Sequence, residues 1–200
     1  MDVEEQDHLG FWLYFASTCL NLNKLKYSVS DKLLFPNNYS YLSGNSKEKI
    51  NNFASILAKI KKNSKKKNPQ ILDIGSNDGS FLEIVKKKYP KVLGVEPTNT
   101  ARNAIKKGIN TIKKSLNFKL AKKILNKYSK FDFIIASNFF AQTNNLKEIL
   151  KSIKLILDKK GLLIVEVQYL YELLLQKGFD SFHHEHVAYY TLSSITKLLE

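Results

Sequence analysis

The sequence predicts an α/β protein with a mostly parallel sheet and helices on both faces. From Pro69 onwards, short apolar runs alternate five times with stretches that carry apolar residues at helical spacing. The apolar runs are nearly continuous, which is typical of parallel strands that are buried on both faces. A turn with two glycines follows the first run, at the end of the strand where open parallel sheets bind their ligands.

Each element of this pattern can be assigned in order. Strands are predicted over residues 70–75, 91–96, 109–112, 131–137 and 161–167. Helices are predicted over residues 80–88, 100–107, 116–128 and 145–158. An earlier amphipathic helix should bury an apolar face formed by Ile50, Phe53, Ala54, Leu57 and Ile60.

A turn-rich stretch and a lysine-rich stretch divide the chain into three predicted regions. Residues 1–44 form a small N-terminal segment that ends in the turn-rich "FPNNYSYLSG". Residues 45–68 hold the first helix and a lysine-rich linker, and residues 69–200 hold the α/β domain.

The charge balance is strongly basic, with 32 Lys and Arg against 18 Asp and Glu and a formal net charge of +14. Such a charge would favour a nucleic acid or an anionic surface as a partner. Arg102 is the one arginine among these residues, whereas base and phosphate recognition depends on the planar fork of arginine. The lysines are spread over nearly every helix, so we predict no nucleic-acid partner.

The N-terminal segment holds the one cysteine of the chain, Cys19. A lone cysteine excludes an internal disulfide and a zinc site built from several cysteines, so a cytoplasmic protein is expected. The apolar stretch 9–20 follows an acidic start and is too short to cross a bilayer. It therefore predicts neither a signal peptide nor a membrane partner.

The turn after the first predicted strand reads "DIGSNDGS", residues 73–80. A dinucleotide site would need glycine at positions 77 and 80, where Asn77 and Ser80 stand, and this argues against NAD. The form D-x-G-x-x-x-G is similar to the first motif of class I S-adenosylmethionine methyltransferases. That resemblance implies a cofactor site that includes Asp73, Gly75, Ser76, Asn77 and Gly79.

Glu96 stands 21 residues after Gly75, at the end of the second predicted strand in "GVEPT". A carboxylate at this place can accept hydrogen bonds from both hydroxyls of a ribose, as in other nucleoside-binding sheets. We therefore predict that Glu96 and the adjacent Pro97 contact the cofactor. The alternative is an ordinary turn followed by a surface acid.

Six stretches together resemble a narrower family, the nucleotide-sugar C-methyltransferases, which alkylate a carbon next to a keto group in deoxysugars. The stretches are "YSYLSGNS", "DIGSNDGSFL", "GVEPT", "SNFFAQTNNL", "GLLIVEVQYLYELL" and "FDSFHHEHVAYYTL". The last stretch is the most specific, because it is similar to the long family pattern F-D-x-x-Y-H-E-H-x-x-Y. The resemblance covers residues 13–200.

This resemblance implies a Rossmann-like class I methyltransferase fold, S-adenosylmethionine as cofactor and a nucleotide-sugar as substrate. Members of the family carry an N-terminal zinc-binding segment, a cofactor domain and a C-terminal substrate domain. Ala16 replaces one cysteine of the zinc-binding pair, so no zinc is expected. The sequence stops at Glu200, so the last strands of the sheet and the C-terminal domain are expected to be missing, as in a fragment.

The resemblance also implies roles for individual residues, several of them in a catalytic loop over residues 179–190. His186 is the candidate general base, since an imidazole with a pKa of about 6.5 suits proton transfer at neutral pH. Glu185 and His184 would orient it or bind the substrate, and Asn138 would lie beside the cofactor. Three further residues are expected to contact the substrate: Gln168, Tyr169 and Tyr41.

Two positions depart from the family pattern. His183 replaces the tyrosine of Y-H-E-H, and Gln142 replaces a histidine that follows the fourth strand. Gln142 can donate a hydrogen bond to an enolate but cannot carry a proton. An altered substrate and a loss of activity are therefore both open.

The histidine cluster has other interpretations. His184 and His186 would share a face on a strand, and His183 and His186 would share one on a helix, where either pair could bind a divalent ion. No further ligand cluster completes such a site, so no metal is predicted; a solvated turn is the other alternative. For the whole chain, an inactive fragment that at most binds the cofactor and an RNA-binding protein or RNA methyltransferase remain alternatives.

Overall fold

The computed structural model describes residues 4–6, 12–14, 23–25, 39–182 and 185–200. The strands are β1 (Glu4–Gln6), β2 (Trp12–Tyr14), β3 (Asn23–Leu25), β4 (Ile71–Ile74), β5 (Val92–Val95), β6 (Thr111–Ile112), β7 (Phe131–Ser137), β8 (Leu157–Glu166) and β9 (Ala188–Tyr189). The helices are α1 (Lys47–Asn63), α2 (Ser80–Lys86), α3 (Ala101–Lys106), α4 (Phe118–Tyr128), α5 (Leu146–Ile156), α6 (Leu170–Leu175) and α7 (Leu192–Leu199). Single 3-10 turns occur at Ser43–Asn45, Phe140–Gln142 and Phe179–Ser181.

The chain folds as two compact units. The sheet unit comprises Phe35–Ser137 and Lys147–Val165. The loop unit comprises Met1–Leu34, Asn138–Leu146 and Glu166–Glu200. The three regions predicted from the sequence, 1–44, 45–68 and 69–200, remain a prediction about domains. Across the described ranges, no helix combines the length and the apolar character that a membrane crossing needs.

The sheet unit is built on a five-stranded sheet in the order β6-β5-β4-β7-β8. β4 pairs in parallel with both β5 and β7, and β5 pairs in parallel with β6. The chain therefore builds the sheet outwards from β4 in one direction and then reverses to the other side of β4. Ligands of open α/β sheets bind at the carboxyl ends of the strands beside such a reversal. The predicted α/β fold class is confirmed.

The apolar face of α1 differs from the predicted one. Phe53 and Ile60 are buried as expected, but Ile50 is 42% exposed, Ala54 is exposed and Ile56 is buried in its place. The Phe53 ring packs on Phe81 of α2 at 5.4 Å between centroids, within a core that spans both sides of the turn after β4. The apolar residues of α1 span more than one stripe, so the packing partner decided which stripe is buried.

Several element boundaries also differ from the prediction. The helix expected over 116–128 begins at Phe118, because the Asn117 side chain caps it by accepting the Leu120 N–H at 2.8 Å. The helix expected to reach residue 158 ends at Ile156, and β8 begins at once with Leu157.

The loop unit contains a small antiparallel sheet in the order β1-β2-β3-β9. β9 pairs with β3 through Asn23 opposite Tyr189 and Lys24 opposite Ala188. The stretch 179–190, expected as a loop, therefore ends in a strand. This pairing joins residues more than 160 positions apart, which no local pattern in the sequence reveals.

Candidate functional site

The turn between β4 and α2 bends at two glycines. Gly75 and Gly79 adopt left-handed backbone, with φ of 73° and 74°, a conformation that glycine takes without steric cost. The Gly75 N–H donates to the Val95 carbonyl oxygen at 2.8 Å. A Cβ at Gly79 would lie 2.7 Å from the Cβ of Ala104 in α3. Position 79 therefore needs glycine both for its backbone and for the close approach of α3.

Glu96 follows β5 and is 5% exposed. Its Oε2 atom accepts the Asn77 N–H at 3.0 Å, and its Oε1 atom accepts the Thr98 N–H at 2.8 Å. The carboxylate thus joins the glycine turn to the loop after β5. A carboxylate offers about four acceptor positions, and these two backbone bonds use two of them. Pro97, the neighbouring predicted contact, is exposed.

Asn77 takes a left-handed backbone with φ of 48°, and its side chain bonds to an earlier part of the chain. Its Nδ2 atom donates to the Tyr41 carbonyl oxygen at 3.0 Å, and its Oδ1 atom accepts the Ser43 N–H at 3.0 Å. Tyr41, predicted as a substrate contact, therefore meets the glycine turn through its backbone, and its side chain is exposed.

Asp78 was missed from the sequence, although it is buried at the centre of the turn. Its carboxylate accepts hydrogen bonds from the hydroxyls of Ser80 at 2.7 Å and Ser43 at 3.0 Å, and from Lys107 Nζ at 3.2 Å. Burial raises the pKa of this carboxyl, but these hydrogen bonds and the charge of Lys107 outweigh burial and hold the pKa below its usual range. The available signal was an acid one residue before Gly79, the glycine that precedes α2.

Two other predicted residues of the turn are buried beneath it. Asp73 lies within β4 and Ser76 lies one residue after Gly75. A Cβ at Gly94 in β5 would lie 2.5 Å from the Ser76 hydroxyl oxygen, so glycine at 94 makes room for that side chain. Within the described chain, the Ser76 hydroxyl has no hydrogen-bond partner.

His186 is the centre of the second group of candidate residues, in the loop unit. The residue is 8% exposed, and its Nδ1 atom lies 2.9 Å from Oε1 of Gln168. With that carbonyl oxygen as acceptor, Nδ1 carries the proton and Nε2 carries the lone pair. The Tyr189 ring packs edge-on against His186 at 5.7 Å between centroids. The ring is therefore held in one orientation by a polar and an aromatic neighbour.

Backbone contacts tie together the three stretches of the loop unit that hold these residues. The Val187 N–H donates to the Ala141 carbonyl oxygen at 2.7 Å, and the Leu170 N–H donates to the Tyr190 carbonyl oxygen at 2.9 Å. The buried Tyr190 hydroxyl donates to the Phe140 carbonyl oxygen at 2.9 Å. Sequence reasoning did not single out Tyr190.

The remaining predicted residues have less defined surroundings. Asn138 belongs to the loop unit, has a φ of 55° and donates its N–H to the Glu166 carbonyl oxygen at 2.8 Å. Gln142 and Glu185 are half-buried, and Tyr169 is exposed. His183 and His184 lie outside the described residues. Within the residues that are described, no group of three or more His, Cys, Asp or Glu could hold a metal ion.

Comparison with known proteins places this chain in a family. The methyltransferase domain family matches residues 47–200. C-methyltransferase NovU from Streptomyces niveus is 33% identical over 131 residues, which make up 65% of this chain and 31% of that protein. The chain thus matches less than half of the length of that relative.

Two solved structures show the same fold. Plantazolicin methyltransferase BpumL in complex with SAH has a TM-score of 0.59 and 22% identity, over 78% of this chain and 66% of that one. A SAM-dependent methyltransferase from Thermotoga maritima, a possible histamine N-methyltransferase, has a TM-score of 0.53 and 22% identity, over 74% of this chain and 68% of that one.

The fold is thus the Rossmann-like fold of the S-adenosylmethionine-dependent methyltransferases, as the sequence predicted. The chain belongs to the methyltransferase domain family. At the level of the domain family, the predicted methyltransferase class is confirmed. Solved structures of this fold in complex with SAH support S-adenosylmethionine as the cofactor of that class.

Proposed function

We propose that this chain is the cofactor-binding part of an S-adenosylmethionine-dependent C-methyltransferase that acts on a nucleotide-activated deoxysugar. The observation that carries the cofactor assignment is the buried Glu96 carboxylate, bonded to the glycine turn through Asn77. The similarity to a C-methyltransferase supports methylation at carbon. The deoxysugar substrate rests on the resemblance of the sequence motifs.

The residues of the sheet unit fit this cofactor. Glu96 would accept the two ribose hydroxyls with the lone pairs that Asn77 and Thr98 leave on its oxygens. Gly75 has no side chain to keep a ligand away from the backbone of the turn. When it is bound, S-adenosylmethionine supplies an electrophilic methyl group on a sulfonium sulfur.

In the proposed reaction, His186 removes the proton from the carbon beside the keto group of the substrate. The bond between Nδ1 and Gln168 favours the tautomer whose Nε2 lone pair can accept that proton. The electron pair of the broken C–H bond passes into an enolate, and the amide of Gln142 would donate a hydrogen bond to the enolate oxygen.

Calorimetry with S-adenosylhomocysteine tests the cofactor assignment. We expect the wild type to bind and Glu96→Gln to bind at least tenfold more weakly, since the neutral amide offers one acceptor oxygen instead of two. Glu172→Gln changes an exposed glutamate on α6 and should leave the affinity unchanged. A folded wild type that does not bind, or equal binding by Glu96→Gln, contradicts the assignment.

Deuterium exchange tests the role of His186 separately. In D2O and without cofactor, the wild type should exchange the hydrogen beside the ketone of a 4-keto-deoxysugar nucleotide, and His186→Ala should not. Transfer of a labelled methyl group to the same compound tests the complete reaction. Binding of S-adenosylhomocysteine without exchange or transfer would instead support the alternative of an inactive fragment. The match to 31% of the relative's length is consistent with that alternative.

A further inference from the structure

The segment "YLSGN", residues 41–45, docks onto the glycine turn and is here named the clamp segment. Its contacts reach residues 34 to 36 positions later in the chain. The Ser43 N–H donates to Asn77 Oδ1 at 3.0 Å, and Asn77 Nδ2 donates to the Tyr41 carbonyl oxygen at 3.0 Å. The Ser43 hydroxyl lies 3.3 Å from Asn77 Oδ1 and 3.0 Å from Asp78 Oδ1 and can donate to either.

The clamp segment also packs against the turn without space for an added side chain. A Cβ at Gly44 would lie 2.3 Å from the Ser80 hydroxyl oxygen and 3.0 Å from Asp78 Oδ2. The buried Asp78 carboxylate meets Lys107 Nζ at 3.2 Å, so its charge is balanced within the sheet unit. The contact between the clamp segment and the turn is therefore both polar and close-packed.

Asn77 connects this contact to the cofactor carboxylate. It is not a glycine, yet its φ is 48°, a conformation that is uncommon for residues with a side chain. Both ends of its side-chain amide are bonded by the clamp segment, while its backbone N–H donates to Glu96 Oε2 at 3.0 Å. The hydrogen bonds from the clamp segment therefore stabilise the Asn77 backbone conformation that points this N–H at Glu96.

We propose that the clamp segment positions the cofactor site, with Ser43 and Asn77 as positioning residues that orient the Glu96 carboxylate. This inference rests on the proposed binding of S-adenosylmethionine to the sheet unit. Neither residue needs to contact the cofactor through its side chain for the effect. A cofactor that binds Glu96 should therefore stabilise the contact between the clamp segment and the glycine turn.

A purely structural role would act through α1, which follows the clamp segment directly. Ser46 caps α1 by accepting the Lys49 N–H at 3.3 Å and does not touch the turn through any bond found in the described residues. Ser46→Ala is therefore the matched control, because it removes a serine hydroxyl and weakens the same helix. Ser43→Ala removes the hydroxyl that faces Asn77 and Asp78.

Calorimetry with S-adenosylhomocysteine should separate the two roles. We expect Ser43→Ala to weaken binding about threefold to tenfold, as the loss of one hydrogen bond predicts, and Asn77→Ala to weaken it more. Ser43→Thr keeps the hydroxyl and should restore most of the affinity, and Ser46→Ala should bind like the wild type even where its melting temperature falls. Wild-type affinity in Ser43→Ala, or an equal loss in Ser46→Ala, overturns the inference.

Amide hydrogen exchange on the wild type gives a second test that needs no variant. Because coupling is reciprocal, S-adenosylhomocysteine should slow exchange of the Ser43 amide, which bonds Asn77. The Ser64 amide at the far end of α1 bonds the Ile60 carbonyl oxygen and should not change. An unchanged Ser43 amide in a protein that binds overturns the inference alone, whereas a wild type that does not bind overturns the proposed function itself.

Discussion

The Nδ1 atom of His186 lies 2.9 Å from the Oε1 atom of Gln168, so an uncharged amide orients the ring of the candidate base. With the amide oxygen as acceptor, the tautomer with the proton on Nδ1 and the lone pair on Nε2 is favoured. Gln168 was also predicted as a substrate contact. Kinetics should therefore separate its role in orienting the His186 ring from a role in substrate binding.

Gln168→Leu removes the hydrogen-bond partner and keeps a side chain of similar size. We expect kcat for proton exchange or methyl transfer to fall roughly tenfold or more, because a hydrogen bond to a group that becomes charged contributes about 1.5 kcal/mol or more. The KM for the sugar nucleotide should stay nearly constant. Gln176→Leu, on an exposed glutamine after α6, is the control. A raised KM with unchanged kcat would instead assign Gln168 to substrate binding.

Gly79→Ala and Gly108→Ala form a pair with the same backbone and different surroundings. Their φ values are 74° and 73°, so alanine is strained at both positions by about 1 kcal/mol or more. A Cβ at 79 would lie 2.7 Å from the Ala104 Cβ, whereas one at 108 meets only Lys86 Nζ at 4.0 Å. Urea unfolding should show Gly79→Ala to be the less stable variant by a further 1–3 kcal/mol or so. Equal losses would show that α3 shifts at little cost.

The Asp78 carboxyl should make the free energy of unfolding depend on pH in the acid range. Its folded pKa lies below its usual value of 3.8, so its contribution is present above the unfolded pKa and is lost as the pH falls through the folded pKa. Between about pH 5 and pH 2 the wild type should therefore lose more stability than Asp78→Asn does. Urea unfolding at several pH values measures this difference. Asp180→Asn, at an exposed aspartate, should follow the wild type.

Tyr190→Phe tests the bond that joins two stretches of the loop unit. The variant removes the donor to the buried Phe140 carbonyl oxygen and leaves that acceptor unpaired, which should lower the free energy of unfolding by about 1–3 kcal/mol. Burial raises the pKa of the Tyr190 hydroxyl, so it stays protonated as a donor throughout the neutral range. Tyr171→Phe, at a tyrosine that is 55% exposed, should change stability little. Equal effects in thermal unfolding would contradict the assigned role.

The sequence by itself determined the local parts of the sheet unit. The glycine turn, the acid after β5 and the alternation of strands and helices are set by residues close to one another in the chain, and parallel sheets repeat these units with regular spacing. For this reason Gly75, Gly79 and Glu96 could be assigned to one turn and one strand end from the sequence alone. The family resemblance then extended this reading to His186 and Gln168, which the structure places in contact.

Tertiary structure decided the contacts between distant segments. Asn77 meets Ser43 across 34 residues, and Asp78 meets Lys107 across 29, so neither pair leaves a periodic signal in the sequence. In α1, packing on the core of the sheet unit buries Ile56 in place of Ile50, and β9 forms by pairing with β3. Local propensity selects an element, but hydrogen-bond partners and packing surfaces from elsewhere in the chain select its register and its buried face.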